Sequence, residues 1–426
     1  MEPRFLAVLA LALLGYGLIS RRAERSPLTP PVAFVTLGVV LGAGGLGWME
    51  VQVDAAILHN LAELTLILVL FSDAARIDLR CLRREQSLPA RLLLIGMPLT
   101  IALGALAALL VLPSFAFFEA LLLAAILAPT DAALGQAVVS SPLVPTRIRQ
   151  TLNVESGLND GIALPLVLLL ASFAGAAPGD NADAVGWLEF AALQVSLGPL
   201  VGVAIAWLGG KALARAHAQG QVNAAFERLA ALALALLAFG GAELVGGNGF
   251  IAAFMAGLTL GNSARDTCEA LYEFGEAEGQ LLTLLVFLAF GATLVPHALP
   301  HLDWRVCLYA LLSLTLVRAL PVALSLLGAG LQPGSLLFLG WFGPRGLASI
   351  LFMLLVVEEH MLPHGMLLEA TVITSVLAST FAHGFSAYPF ARLYNAYLAR
   401  HKDGEMSEHA PAMELPVRIR HRENAT

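Results

Sequence analysis

Three carboxylates, two hydroxyls and an amide fall in two short runs of otherwise apolar sequence. The first run is Leu127-Ala128-Pro129-Thr130-Asp131-Ala132, and the second is Val154-Glu155-Ser156-Gly157-Leu158-Asn159-Asp160-Gly161. An ionisable side chain at the centre of a bilayer costs about 2.5–3.5 kcal/mol on insertion scales, so packing alone does not account for the cluster. Donors that are all oxygen suit hard cations. Asp160, Ser156, Thr130 and the carbonyls freed beside Pro129 are of the right type to replace part of a monovalent ion's hydration shell. A carboxylate buried among other acids holds either a proton or a metal ion near neutral pH, but not both. That competition is the chemistry of exchange.

On an ideal helix Glu155, Ser156, Asn159 and Asp160 point at about 0°, 100°, 40° and 140°, so they share one face. Gly157 and Gly161 flank that face and are expected to let another backbone approach closely. A second interrupted run, Phe342-Gly343-Pro344-Arg345-Gly346, carries a guanidinium that stays charged and needs a partner at depth. Glu155 is the expected partner, in a structural pair whose disruption costs about 3–5 kcal/mol. Asn159 is expected to orient Asp160 or Asp131. Glu63, Asp73, Glu243 and Arg318 also need satisfying, and structural pairing and a place on an ion pathway both stay open for them. His297, His301, His360 and His364 read as solvated loop residues.

Of the 426 residues 58% are hydrophobic and 13% charged, against about 25% charged in soluble domains. The chain is therefore expected to be an all-α polytopic membrane protein. Apolar runs fall at 5–20, 29–47, 57–74, 90–112, 117–141, 149–173 and 187–210, then at 227–245, 249–262, 280–298, 304–328, 334–357 and 366–391. These make thirteen spans, and the ninth is short against the 17–25 residues a membrane helix usually needs.

Basic residues orient these spans. With the N-terminus outside, 20 of the 24 Lys and Arg residues fall on the cytoplasmic side, including Arg76, Arg80, Arg83, Arg84, Arg91, Arg147, Arg149, Arg265 and the tail. Glu50, Asp54, Asp180 and Asp183 then face outward. Arg21, Arg22 and Arg25 follow the first apolar run rather than precede it, which favours a retained helix over a signal peptide. Residues 1–399 form the transmembrane part, and 400–426 read as a short cytoplasmic tail. Cys81, Cys268 and Cys307 are too dispersed for a metal or disulfide pattern. Nothing in the charge pattern suggests a nucleic-acid partner.

The interruptions at Pro129 and at 343–346 lie seven spans apart, so their helices cross in opposite directions, as inverted repeats require. Facing breaks bring half-helix ends, with their partial charges, to the bilayer midplane.

Ala128-Pro129-Thr130-Asp131 and Glu155-Ser156-Gly157-Leu158-Asn159-Asp160-Gly161 resemble the paired motifs of monovalent cation–proton antiporters, in the branch of the NhaP and eukaryotic sodium–proton exchangers. Phe342 to Ala348 is similar to that branch's Gly-rich Arg segment, although Pro344 stands where a larger apolar residue is usual. The resemblance implies an NhaA-like fold of about thirteen helices, with core helices including about 90–173 and 304–391 and the remainder for dimerisation and linking. It implies a homodimer in the cell (inner) membrane that serves pH homeostasis by elevator-like alternating access, with no cofactor. Asp160 would bind the ion or the proton, Thr130, Ser156 and Asp131 would be ligands, and Glu155 and Arg345 would form the stabilising pair. Asn159 beside Asp160 resembles the electroneutral branch, which gives one Na+ (K+ and Li+ being further candidates) for one H+. The rivals are a proton-coupled transporter of another small solute, an intramembrane hydrolase using Asp131 and Asp160, and a channel.

Overall fold

The computed structural model describes residues 3–23, 26, 28–48, 55–77, 79, 87–175, 184–263, 269–359, 362–400 and 407–409. Glu50, Asp54, Asp180, Asp183, the cations Arg25, Arg80, Arg83, Arg84 and Arg265, the thiols Cys81 and Cys268, His360 and most of the tail lie outside them. The helices run α1 Pro3–Ala23, α2 Pro30–Leu41, α3 Ala55–Ala75, α4 Ser87–Val111 and α5, which is split into Phe117–Ile126 and Ala132–Val139. They continue with α6 Thr146–Gly175, α7 Ala184–Ala218, α8 Ala224–Leu244, α9 Gly249–Ser263 and α10, from Glu269–Ala289 through a π turn at Phe290–Leu294 to Val295–Ala298. The last three are α11, split at Thr315 into Trp304–Leu314 and Leu316–Ser325, α12, split into Pro333–Trp341 and Leu347–Glu359, and α13 Gly365–Arg400.

Each expected span thus corresponds to a helix or a broken helix. Six described helices are long and apolar enough to cross a membrane, among them α4, α6 and α13. This is a multi-pass membrane protein. The break in α11 had not been expected, because Thr315 carries no sequence mark of it. Helix starts follow local chemistry: Pro30 and Pro333 sit in first turns, where a missing N–H costs nothing. Asn223 and Asp303 accept backbone N–H bonds as N-caps of α8 and α11.

The doubtful ninth span is a helix of only 15 residues, seated by glycines. Gly257 and Gly261 lie against the carbonyls of Phe71 and Ala75 on α3, and Gly202 of α7 lies against Ala252. Backbones this close gain dispersion contacts without a side chain between them. Phe254 of α9 covers Gly161 of α6 in the same way, so the short helix packs against the polar run. At Gly161 the close neighbour is therefore an aromatic ring rather than a backbone.

Side-chain contacts draw several helix ends together. Arg91 Nη1 donates to Leu327 O at 2.8 Å, and Arg147 Nη1 donates to Ser407 O at 2.6 Å, so four segments expected on one side meet in two pairs. At the opposite end His364 meets Glu119 at 2.9 Å, while His297 and His301 are exposed. Cys307 is a free, exposed thiol.

A Gly261→Val substitution should force α9 off α3, at a cost of about 1–3 kcal/mol for overpacking. A Gly240→Ala change on α8, where a Cβ meets nothing within 4 Å, should be neutral or slightly stabilising. Thermal melts of the two purified variants against the unsubstituted protein will separate these outcomes.

Candidate ion-binding site

The two breaks cap each other. Beyond Ile126 the chain leaves helical geometry, and Asp131 takes an extended backbone (φ −88°, ψ 120°) as N-cap of the second half of α5. Its Oδ1 accepts from Ala133 N at 2.6 Å and Leu134 N at 3.0 Å. Its Oδ2 accepts from Leu347 N, the first residue of the second half of α12, at 2.5 Å. One carboxylate thereby serves two helix N-termini, whose partial positive charges favour an anion. Asp131 N in turn donates to Pro344 O at 2.8 Å.

Arg345 does the reverse for carbonyls. The side chain is wholly buried, and its Nη1 donates to Ala128 O at 2.8 Å and Pro129 O at 3.4 Å. Nη2 reaches Ser313 O at 3.5 Å, just before the break in α11. Ser349 donates to Ile126 O at 2.8 Å. Backbone groups loosened at membrane depth are therefore answered by protein rather than lipid.

The expected pairing of Glu155 with Arg345 is corrected by this geometry. Arg318 of α11 holds Glu155 in a two-pronged contact, Nη1 to Oε1 at 2.5 Å and Nη2 to Oε2 at 2.7 Å, with both side chains 3% exposed. A guanidinium fork matches both carboxylate oxygens at once, and Arg345 is already committed to carbonyls. Gly343 and Gly346 explain the glycine spacing around Arg345. A Cβ on Gly343 would collide with the Arg318 guanidinium, and one on Gly346 would collide with the Asp131 carboxylate.

Thr130, Ser156 and Asn159 are joined by side-chain hydrogen bonds. Asn159 Nδ2 donates to Thr130 Oγ1 at 2.7 Å, and the Thr130 and Ser156 hydroxyls lie 2.9 Å apart. Asn159 thus orients Thr130, not Asp160 or Asp131. Its Oδ1 is buried without a hydrogen-bond partner. Asp160, 8% exposed, lies one turn beyond Ser156 on the same helix face. Asp131 is 6% exposed and engaged through both oxygens, so its first role is to join helix ends.

Of the residues left open, Arg318 belongs to the structural pair and Glu243 accepts from Gly249 N at 2.7 Å, fixing the turn into α9. Glu119, buried at the start of α5, receives Ala116 N and His364 N. Sequence reasoning passed over Glu119, Ser349, Ser379 and His383. Ser349, Ser379 and His383 act between helices that sequence spacing does not relate, and the visible mark of Glu119 was a carboxylate near a helix start.

A membrane protein with two facing broken helices, a buried ion pair and a carboxylate–hydroxyl cluster between them is a secondary transporter of the cation-exchanging kind. The family model of the sodium/hydrogen exchanger transmembrane region matches residues 8–393, and the chain belongs to that family of monovalent cation/proton antiporters. It is 26% identical over 403 residues to a K+/H+ antiporter NhaP of Alkalimonas amylolytica, covering 92% of this chain and 67% of the relative. A Na+/H+ antiporter of Schizosaccharomyces pombe is 27% identical over 325 residues, with 68% of each chain covered. A K+/H+ antiporter NhaP2 of a Shewanella species is 24% identical, with 88% of this chain and 64% of that one covered. The chain thus spans about two thirds of the length of these relatives. In fold it is similar to the sodium proton antiporter MjNhaP1 of Methanocaldococcus jannaschii at pH 8, with a TM-score of 0.74 and 21% identity over 93% of this chain and 99% of that one.

Removing either member of the ion pair leaves a buried charge, so Glu155→Leu and Arg318→Met should each lower stability by about 3–5 kcal/mol. The double change Glu155→Leu with Arg318→Met should recover most of the loss. Melting temperatures around this cycle give the coupling directly, and additive losses would refute the pairing.

Proposed function

We propose that the protein exchanges one monovalent cation for one proton per cycle at Asp160, with Na+ the first candidate and K+ and Li+ the others. The observation that carries this reading is the position of Thr130. Its hydroxyl leaves the break in α5 and bonds both Ser156 and Asn159 on the Asp160 face of α6. Within the cluster, Glu155 meets Arg318 and Asp131 accepts from backbone N–H groups. Asp160 lies one turn beyond Ser156, whose hydroxyl meets that of Thr130.

In the proposed cycle Asp160, Ser156, Thr130 and Asn159 Oδ1 replace water around the cation. Asp131 adds negative potential and keeps the half-helix ends in place. A carboxylate stripped of both cation and proton is costly to carry through a low-dielectric barrier, so the site crosses when loaded with one or the other. Either load leaves Asp160 neutralised, and the carrier bears the same charge in both directions. The exchange is then electroneutral.

The further readings follow the same resemblance. The working unit is a homodimer, the broken-helix bundle moves against the dimerisation helices, and the N-terminus lies outside with the C-terminus in the cytoplasm. The named relatives divide between K+ and Na+, so the cation must be measured. A rival proton-coupled carrier of an anionic solute would need Arg345 available, yet its guanidinium is wholly buried and holds carbonyls. Hydrolysis by Asp131 and Asp160 is disfavoured because backbone N–H bonds occupy Asp131.

In everted vesicles or proteoliposomes with a pH dye, the unsubstituted protein should dequench the dye on addition of Na+, K+ or Li+, and Asp160→Asn should reduce exchange to background. Normal exchange by that variant would sink the mechanism. The wild-type rate should not respond to a potential set by a separate ionophore, and a response would rule out the one-for-one stoichiometry.

A further inference from the structure

The break in α12 leaves loose backbone groups at both its ends, and a neighbouring helix takes hold of each. Ser379 and His383 lie one turn apart on α13, and both are buried. Arg345 N, on the far side of the break, donates to Ser379 Oγ at 2.7 Å. His383 Nε2 lies 2.8 Å from Trp341 O, the last carbonyl before the break. A carbonyl has no proton to give, so Nε2–H is the donor in this contact. On the other side of the ring, Nδ1 lies 3.1 Å from Ser379 Oγ and 2.9 Å from Ser379 O. A neutral ring accepts there from the hydroxyl, and a charged ring donates there to the carbonyl. The bond to Trp341 O is the same in both states.

The ring is also held by packing, with centroids 5.4 Å from Trp341 and 6.3 Å from Phe342. Trp341 itself is tied to α13 by its indole N–H, which donates to Ser386 Oγ at 2.8 Å. The imidazole therefore grips the first half of α12 while Ser379 grips the second. Beyond Arg345 N the connection continues through the guanidinium to Ala128 O and Pro129 O, next to Thr130, and from Thr130 to Ser156 and Asn159.

We propose that His383 and Ser379 are positioning residues for cation binding: from α13 they clamp both ends of the α12 break and, through Arg345, set the place of Thr130. Neither touches the ion. The inference rests on the reading of Thr130 and Asp160 as the cation site. It concerns binding geometry more than the rate of the conformational step, since all its links lie within the two breaks and α13.

The test is cation-dependent antiport in proteoliposomes, with KM and maximal rate measured separately for Na+ and K+. His383→Ala should raise the KM about tenfold, the size expected for losing one buried hydrogen bond, with a smaller change in maximal rate. His383→Gln keeps an N–H donor able to reach Trp341 O and should stay within about threefold of the unsubstituted KM. Ser379→Ala should raise the KM in the same direction. An unaltered KM in His383→Ala overturns the proposal, as does equal impairment of the Ala and Gln variants or a loss confined to maximal rate. Should the Ala variant fail to reach the membrane, amide exchange decides the matter on purified Ser379→Ala and His383→Gln. Arg345 N–H should exchange faster in the first and remain protected in the second, and equal protection overturns the clamp. If the unsubstituted protein shows no cation-dependent exchange, the site reading and this inference fall together, an outcome distinct from variants that match it.

Discussion

Everything at the centre of this protein depends on reciprocal capping between two interrupted helices. A helix broken at membrane depth exposes N–H and C=O groups where there is no water to receive them, each at a cost of several kcal/mol. Here Asp131 answers the N-termini of both second halves, and Arg345 answers carbonyls at the end of the first half of α5. The two side chains are opposite in charge because the helix ends they meet are opposite in partial charge. Charge at the midplane is thus part of the scaffold before any ion arrives.

This arrangement divides labour among the carboxylates. Asp131 joins helix ends and Glu155 balances Arg318, both through bonds whose geometry leaves little freedom. The proposed exchanging group, Asp160, sits beside them on a continuous helix, α6, rather than on a break. A rigid helix presents the carboxylate while the break supplies Thr130.

The glycines show why such density is possible. Gly343 and Gly346 give up side-chain volume to the Arg318 guanidinium and the Asp131 carboxylate, while Gly257 and Gly261 let a short helix approach α3. The same device seats charge in one place and apolar backbone in another. The polar run of α6 is therefore braced from α9 as well as from the breaks, since Phe254 lies over Gly161.

The sequence by itself determined the thirteen-helix organisation, because a bilayer demands long apolar runs and sorts cations by side. It also determined which residues cluster on α6, since 100° per residue places Glu155, Ser156, Asn159 and Asp160 on one face. It marked both midplane breaks through Pro129 and the Gly-Pro-Arg-Gly run, and it placed Glu155 in a pair with a buried guanidinium. The tertiary structure alone decided which cation. Arg318 and Arg345 are both buried guanidiniums, and no spacing within a chain says which one faces a glutamate on another helix. The break at Thr315, the contact of Asn159 with Thr130 and the hold of His383 on Trp341 were equally invisible. Each depends on the distance between helices, which packing sets and local periodicity does not.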